Sequence, residues 1–200
     1  MLIYDIEIVK AIPPKNPQGP YDEGIQYCAG WQDHANMGVS VIGAYDYVEN
    51  RSRVFCADNI GEFAMLCKER TPLVGFNSIA FDNAVLCKTY PQFDYAWHED
   101  ERCYDLLREI WVAAGLGPTF KYPSHVGYGL DAVCERNFGT RKSGDGALAP
   151  VLWQRGDVGT VIDYCLNDVW LTKQILDKVL ADGTLVSPKD GSLLTLRRPT

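Results

Sequence analysis

Strand-like segments come first in this chain, and helices begin to alternate with strands only later. Residues 2–8, Leu-Ile-Tyr-Asp-Ile-Glu-Ile, read as a strand. Residues 9–24 hold four of the eleven prolines together with Gly19 and Gly24, so they read as a loop. Residues 25–33, 37–48 and 52–57 are rich in Tyr, Val, Ile and Trp and read as two or three antiparallel strands. Asn59 is placed as the cap of a helix reaching about Arg70. A short buried strand over 73–76 precedes a helix over 79–90, and another helix is expected over 104–114. Residues 115–128 are a loop rich in Gly, Pro and aromatics. A helix over 130–138 is closed by Gly139, and a basic, glycine-containing connection spans 140–146. A short helix around 148–154 leads to a long one from Asp157 to about Leu180, with Gly183 as its stop. Residues 184–186 and 192–196 form a hairpin around Asp190-Gly191. That order specifies an α/β fold, a mixed central sheet flanked by helices. With 200 residues and no internal repeat, the chain is expected to form one domain over 1–200.

Composition excludes several classes. No apolar run approaches the ~20 residues of a membrane span. The N-terminus lacks the basic region and small-residue cleavage site of a signal peptide. A soluble cytoplasmic protein with no membrane partner is expected. The formal charge of −7 argues against coating long nucleic acid, which calls for basic stripes. It leaves room for an enzyme that grips one strand end. The seven cysteines are dispersed, and no C-x-x-C occurs among them. Reduced thiols acting as small core residues fit better than a zinc site.

Four acids stand in places where a carboxylate is costly. Asp5 and Glu7 are two apart on the first strand, so their side chains share one face, roughly 7 Å apart along the chain. Leu2, Tyr4, Ile6 and Ile8 take the other face. Asp82 lies in an apolar helix with Val85 and Leu86 at i+3 and i+4. Asp168 follows Tyr164 by four residues on the last helix, among Val161, Cys165, Leu171 and Thr172. An ionised Asp removed from water requires a partner charge, hydrogen bonds or a metal. Taken singly, each has an ordinary alternative: an edge strand with one wet face, an acid at a helix start, or a half-exposed Tyr–Asp pair. Four inward-pointing acids together suggest one metal site.

Asp5-Ile6-Glu7 on a strand, then Asn77 to Asp82 as N-x-x-x-F-D, then Tyr164 to Asp168 as Y-x-x-x-D, resemble the DEDD family of 3′→5′ exonucleases in its tyrosine-bearing branch. Gly129-Leu130-Asp131-Ala132-Val133 is similar to the helix that precedes the third motif in that family. Gly144-Asp145-Gly146 and Gly156-Asp157 resemble the run leading into it. The similarity covers residues 1–8 loosely and 72–176 closely. Ile8 stands where many relatives have Thr, and residues 9–36 form a longer Pro- and Trp-rich insertion. The resemblance implies a ribonuclease H-like fold and two divalent cations, Mg²⁺ or Mn²⁺, which hard oxygen ligands favour over zinc. It implies that Asp5 bridges both ions and that Glu7 and Asp168 complete the one carrying the attacking water. Asp82 would serve the other ion, and Tyr164 would orient the water. The expected reaction is phosphodiester hydrolysis at the 3′ end of a single strand, DNA in preference to RNA, releasing nucleoside 5′-monophosphates.

Asn77 and Phe81 are candidate contacts to the terminal sugar or base. Phe120, Lys121, Tyr122, His125 and Tyr128 form an aromatic and basic loop suited to stacking unpaired bases. Tyr122 and His125 are taken from it as candidate substrate contacts, with packing under a lid as the alternative for the loop. Arg141, Lys142, Arg197 and Arg198 are candidates for backbone phosphate or simply a solvated basic surface. Two other functions compete: a structure-selective endonuclease on the same fold, and a non-catalytic nucleic-acid-binding module. Any proofreading role calls for a replication or repair partner in trans.

Overall fold

A computed structural model describes residues 1–14, 22–91, 93, 102–141, 144 and 146–200. Its frame is set by β1 (Leu2–Ile8), buried on both faces at the middle of a five-stranded sheet ordered β3-β2-β1-β4-β5. β2 (Val39–Asp46) runs antiparallel to β1, and β3 (Arg51–Phe55) antiparallel to β2. On the other side, β4 (Leu73–Gly75) and β5 (Cys103–Asp105) continue the sheet in parallel. The sheet is therefore mixed, and helices cover both faces, which is consistent with a ribonuclease H-like fold.

The period-2 alternation of β1 sorts its side chains into two layers. Leu2, Tyr4, Ile6 and Ile8 pack with Phe55, with Phe63 of α2 (Ile60–Glu69) and with Leu86 of α3 (Asp82–Thr89). Ile3 packs on the opposite side with Ile110 of α4 (Leu106–Ala113), Val133 of α5 (Leu130–Phe138) and Ile175 of α7 (Val158–Asp182). Asp5 and Glu7 share that second side. Gly139 and Gly183 end α5 and α7 in the left-handed conformation, with φ of 69° and 71°. β6 (Thr184–Val186) and β7 (Leu193–Thr195) form the expected hairpin, and it buries Leu185 and Leu194 in the layer of α7. No helix among the described residues is long and apolar enough to cross a membrane.

Three expectations need correction. Residues 25–33 form no strand. Tyr27 makes one isolated bridge to Ala11, a turn follows at Gly30, and α1 (His34–Met37) begins directly after it. Residues 104–114 are not all helix, because Cys103–Asp105 joins the sheet and Asp105 starts α4. Asn59 precedes α2 but does not cap it with its side chain. Its Oδ1 accepts from the Cys56 amide at 2.7 Å and its Nδ2 donates to the Val54 carbonyl at 3.3 Å, which braces the β3–α2 turn.

The long loop after β1 is tied at its base. Ala11 N donates to the Gln26 carbonyl and Cys28 N to the Ala11 carbonyl, both at 3.0 Å. Gln154, at the end of α6 (Ala149–Gln154), donates through Nε2 to the carbonyls of Val9 at 2.8 Å and Gln26 at 3.1 Å. Its Oε1 accepts from the Gln26 amide at 2.7 Å. Pro17, Gly19 and Pro20 of this loop, and Lys142 and Asp145, lie outside the described residues.

Candidate metal centre

The acidic face of β1 lies under α7. Gly43 of β2 stands opposite Asp5, and its lack of a side chain lets the helix come close. A Cβ at Gly43 would lie 3.0 Å from Cys165 Sγ and 3.2 Å from Val169 Cγ2. The Gly43 amide donates to that sulfur at 3.1 Å. The thiol in turn donates to the Asp5 carbonyl at 3.4 Å and lies 3.8 Å from Asp5 Oδ2. One ligand atom each from Asp5, Glu7 and Cys165 falls within a 4.8 Å group. Burial pushes the Cys165 thiol well up, and the charges of Asp5, Glu7 and Asp168 push it further. It stays a neutral thiol at neutral pH and serves as a donor that orients Asp5.

Asp168 is one helical turn beyond Tyr164, on the same buried face of α7. Asp168 is 3% exposed and Tyr164 8%. The backbone of the preceding connection presses on the tyrosine ring. A Cβ at Gly146 would stand 3.1 Å from the Tyr164 hydroxyl, and one at Gly144 would stand 3.1 Å from its Cδ2.

Asp82 reaches the site from the other side of the sheet. β4 pairs with β1 only at Leu2 and Ile3, so β1 runs on past it. Asp82 Oδ1 accepts from the Ile6 amide at 3.1 Å, between Asp5 and Glu7. The turn that delivers Asp82 is tightly built. Gly75 has no room for a side chain, since a Cβ would meet Ser78 Cβ at 2.4 Å. Asn77 adopts φ 65°, a left-handed conformation that Asn tolerates better than most residues. The Asp105 carboxylate then accepts from the amides of Asn77 at 3.0 Å, Ile79 at 3.1 Å and Leu107 at 3.0 Å. Burial raises the Asp105 carboxyl, and the amides of Ile79, Asn77 and Arg108 oppose the rise.

Asp5, Glu7 and Cys165 thus form the close group, with Cys165 linking α7 to β1. Asp82 reaches β1 at the Ile6 amide, and Asp168 is buried on α7. Among the described residues, this donor set suits a divalent cation bound through oxygen. Crowded carboxylates repel one another until a cation offsets them, and the softer thiol stays protonated beside them. Cys165 and Asp105 were not singled out from the sequence. An Asp immediately before the apolar run Leu106-Leu107 is a helix N-cap signal, but reading 104–114 as continuous helix concealed it.

The other candidates separate. Phe81 is half-buried beside Asp82, with the rings of Trp31 and His34 against it. Tyr122 is 82% exposed on the 115–128 loop. His125 is turned into that loop. Its Nε2 lies 2.9 Å from the Gly117 carbonyl, its Nδ1 2.9 Å from Ser124 Oγ, and its ring 4.8 Å from that of Trp111. The basic candidates are also engaged. Arg141 bonds Glu135, Arg197 bonds Glu109 at 2.9 Å, and Arg198 donates to the Ala181 carbonyl at 3.1 Å near the end of α7.

No family model matches this chain, and no curated protein matches its sequence. Among solved structures, it is similar to the family B DNA polymerase from the hyperthermophilic archaeon Pyrobaculum calidifontis. The TM-score is 0.58 at 20% identity, over 90% of this chain and 24% of the polymerase. The chain spans about a quarter of that polymerase, and the likeness is one of fold.

Proposed function

We propose that this chain is a metal-dependent 3′→5′ exonuclease acting on single-stranded nucleic acid, DNA in preference to RNA. The observation that supports this is the grouping of Asp5 and Glu7 on one face of β1, with the Asp82 carboxylate bonded to the amide of Ile6, the residue between them in sequence. Asp168 and Tyr164 come from the helix above. The order and spacing of these residues resemble the tyrosine-bearing DEDD exonucleases, and a fold shared with part of a DNA polymerase supports a nucleic-acid substrate.

Asp5, Glu7, Asp82 and Asp168 would hold two Mg²⁺ or Mn²⁺ ions. When bound, these supply Lewis acidity and a more acidic water. The chain does the rest by placement. The Ile6 amide holds one oxygen of the Asp82 carboxylate, and the Cys165 thiol lies against one oxygen of Asp5. Tyr164, confined by Gly144 and Gly146, orients the attacking water. A bond forms from water oxygen to phosphorus as the bond to the 3′ oxygen breaks. The products are a nucleoside 5′-monophosphate and a strand one residue shorter with a free 3′ hydroxyl. The setting proposed is the cytoplasm, and the partner proposed is one of replication or repair.

Asp82→Ala or Asp168→Ala should abolish Mg²⁺-dependent mononucleotide release from 3′ ends with the far-UV circular dichroism unchanged. Full activity in either protein would overturn the proposal. A circular single strand separates the endonuclease alternative, because an exonuclease cannot cut it.

A further inference from the structure

Large aromatic side chains are drawn inward by their apolar area, so one that a rigid turn holds in water needs a reason. Trp31 is 57% exposed. The Asp33 amide donates to the Gly30 carbonyl at 3.0 Å. The Asp33 carboxylate accepts from the Ala29 amide at 2.8 Å and from Asn36 Nδ2 at 2.6 Å. These bonds close the turn and present Trp31 at its tip. The indole lies edge-on to Phe81, with centroids 5.6 Å apart and planes at 60°. His34 contacts the same ring from α1, at 6.0 Å and 89°. Phe81 immediately precedes Asp82, whose carboxylate is bonded to Ile6 between the other two acids. An exposed indole therefore packs on Phe81, the residue that immediately precedes a candidate ligand.

We infer that Trp31, backed by Phe81, is a stacking platform for the unpaired terminal base of the strand being cut. The inference rests on the nuclease reading of the same site and assigns that site its end-recognition element. Stacking on an indole is indifferent to base identity and requires the base to be out of a duplex. It therefore selects a single-stranded end of any sequence. The insertion between β1 and β2 that supplies Trp31 gains a purpose in this way.

The test is equilibrium binding, with Ca²⁺ replacing Mg²⁺, of a labelled single strand against the same strand carrying an abasic 3′-terminal nucleotide. The unmodified protein should prefer the base-bearing end about tenfold, Trp31→Ala should lose that preference, and Trp31→Phe should keep most of it. With Mg²⁺, Trp31→Ala should raise KM while kcat changes by less than about twofold. No preference in the unmodified protein, or full preference in Trp31→Ala, overturns the inference. Hydrolysis, scored separately against Asp168→Ala, decides the nuclease reading. Its failure would leave the binding comparison able to decide Trp31.

Discussion

Backbone amides from two elements converge on the Asp105 carboxylate: Asn77 and Ile79 before α3, and Leu107 and Arg108 in α4. One buried side chain therefore caps a helix and holds the turn that aims Asp82. Asp105→Ala should cost about 3 kcal/mol in urea unfolding, since it removes a cap and strands buried amides. It should also lower kcat, because Asp82 loses its fixed approach to Ile6. Activity at the level of the unmodified protein would show that Asp105 serves stability alone. Glu7, Asp82 and Asp168 were legible in the sequence as buried acids, because a carboxylate among apolar residues is conspicuous at any spacing. Asp105 and Cys165 were not. An Asp next to a helix looks like any cap, and a buried Cys looks like any small core residue until its neighbours are known.

Elements with a clear period were equally legible. β1 alternates, α5 and α7 carry apolar stripes and end at glycines, and each lies close to where its pattern put it. The segment over 25–33 misled because Tyr and Trp favour strands, yet here they decorate a surface turn. β5 was hidden because its residues run into a helix without a break. The approach of α7 to β2 depends on a position that no periodicity marks. Gly43→Ala should destabilise the protein by about 2 kcal/mol, as overpacking does, and slow hydrolysis by lifting Asp168 away from Asp5. Cys165→Ala removes the sulfur that the new methyl would strike. The double variant should therefore lose less than the sum of the two single losses in a urea double-mutant cycle. Additive losses would show that Val169 sets the helix–sheet distance.

At the scale of the whole molecule, the chain builds β2 and β3 on one side of β1 and β4 and β5 on the other. β1 therefore runs on past the short β4 where the strand order switches sides, the region where open α/β sheets bind ligands. The metal site proposed for Asp5, Glu7, Asp82 and Asp168 should make folding sensitive to cations. Saturating Mn²⁺ at about 100 times its dissociation constant should raise Tm by roughly 6 °C, and Asp5→Ala should abolish the shift. No shift in the unmodified protein would favour the non-catalytic module. A second electrostatic joint lies far along β2. Asp46 is fully buried, and Arg70 Nε lies 3.1 Å from both of its carboxylate oxygens. Burial alone would raise the Asp46 carboxyl, but Arg70 and the Val48 amide hold it below its usual value. Its stabilising contribution is present above about pH 4 and is lost as pH falls through the lowered folded value. Arg70→Leu should cost about 3 kcal/mol at pH 7 by leaving a buried charge alone. The gap should narrow at pH 3, where Asp46 is protonated in the variant, and a gap independent of pH would refute the linkage. The amide knot of Gln154 on Val9 and Gln26 has a different kind of consequence. It pins the chain at Val9 and at Gln26, so the length of chain joining those two points is uncoupled from the strand before it. Doubling that length costs only about 0.6 kcal/mol of closure entropy. The chain thus carries a ready splice point, where a tether or a whole foreign module can be grafted while β1 stays in register.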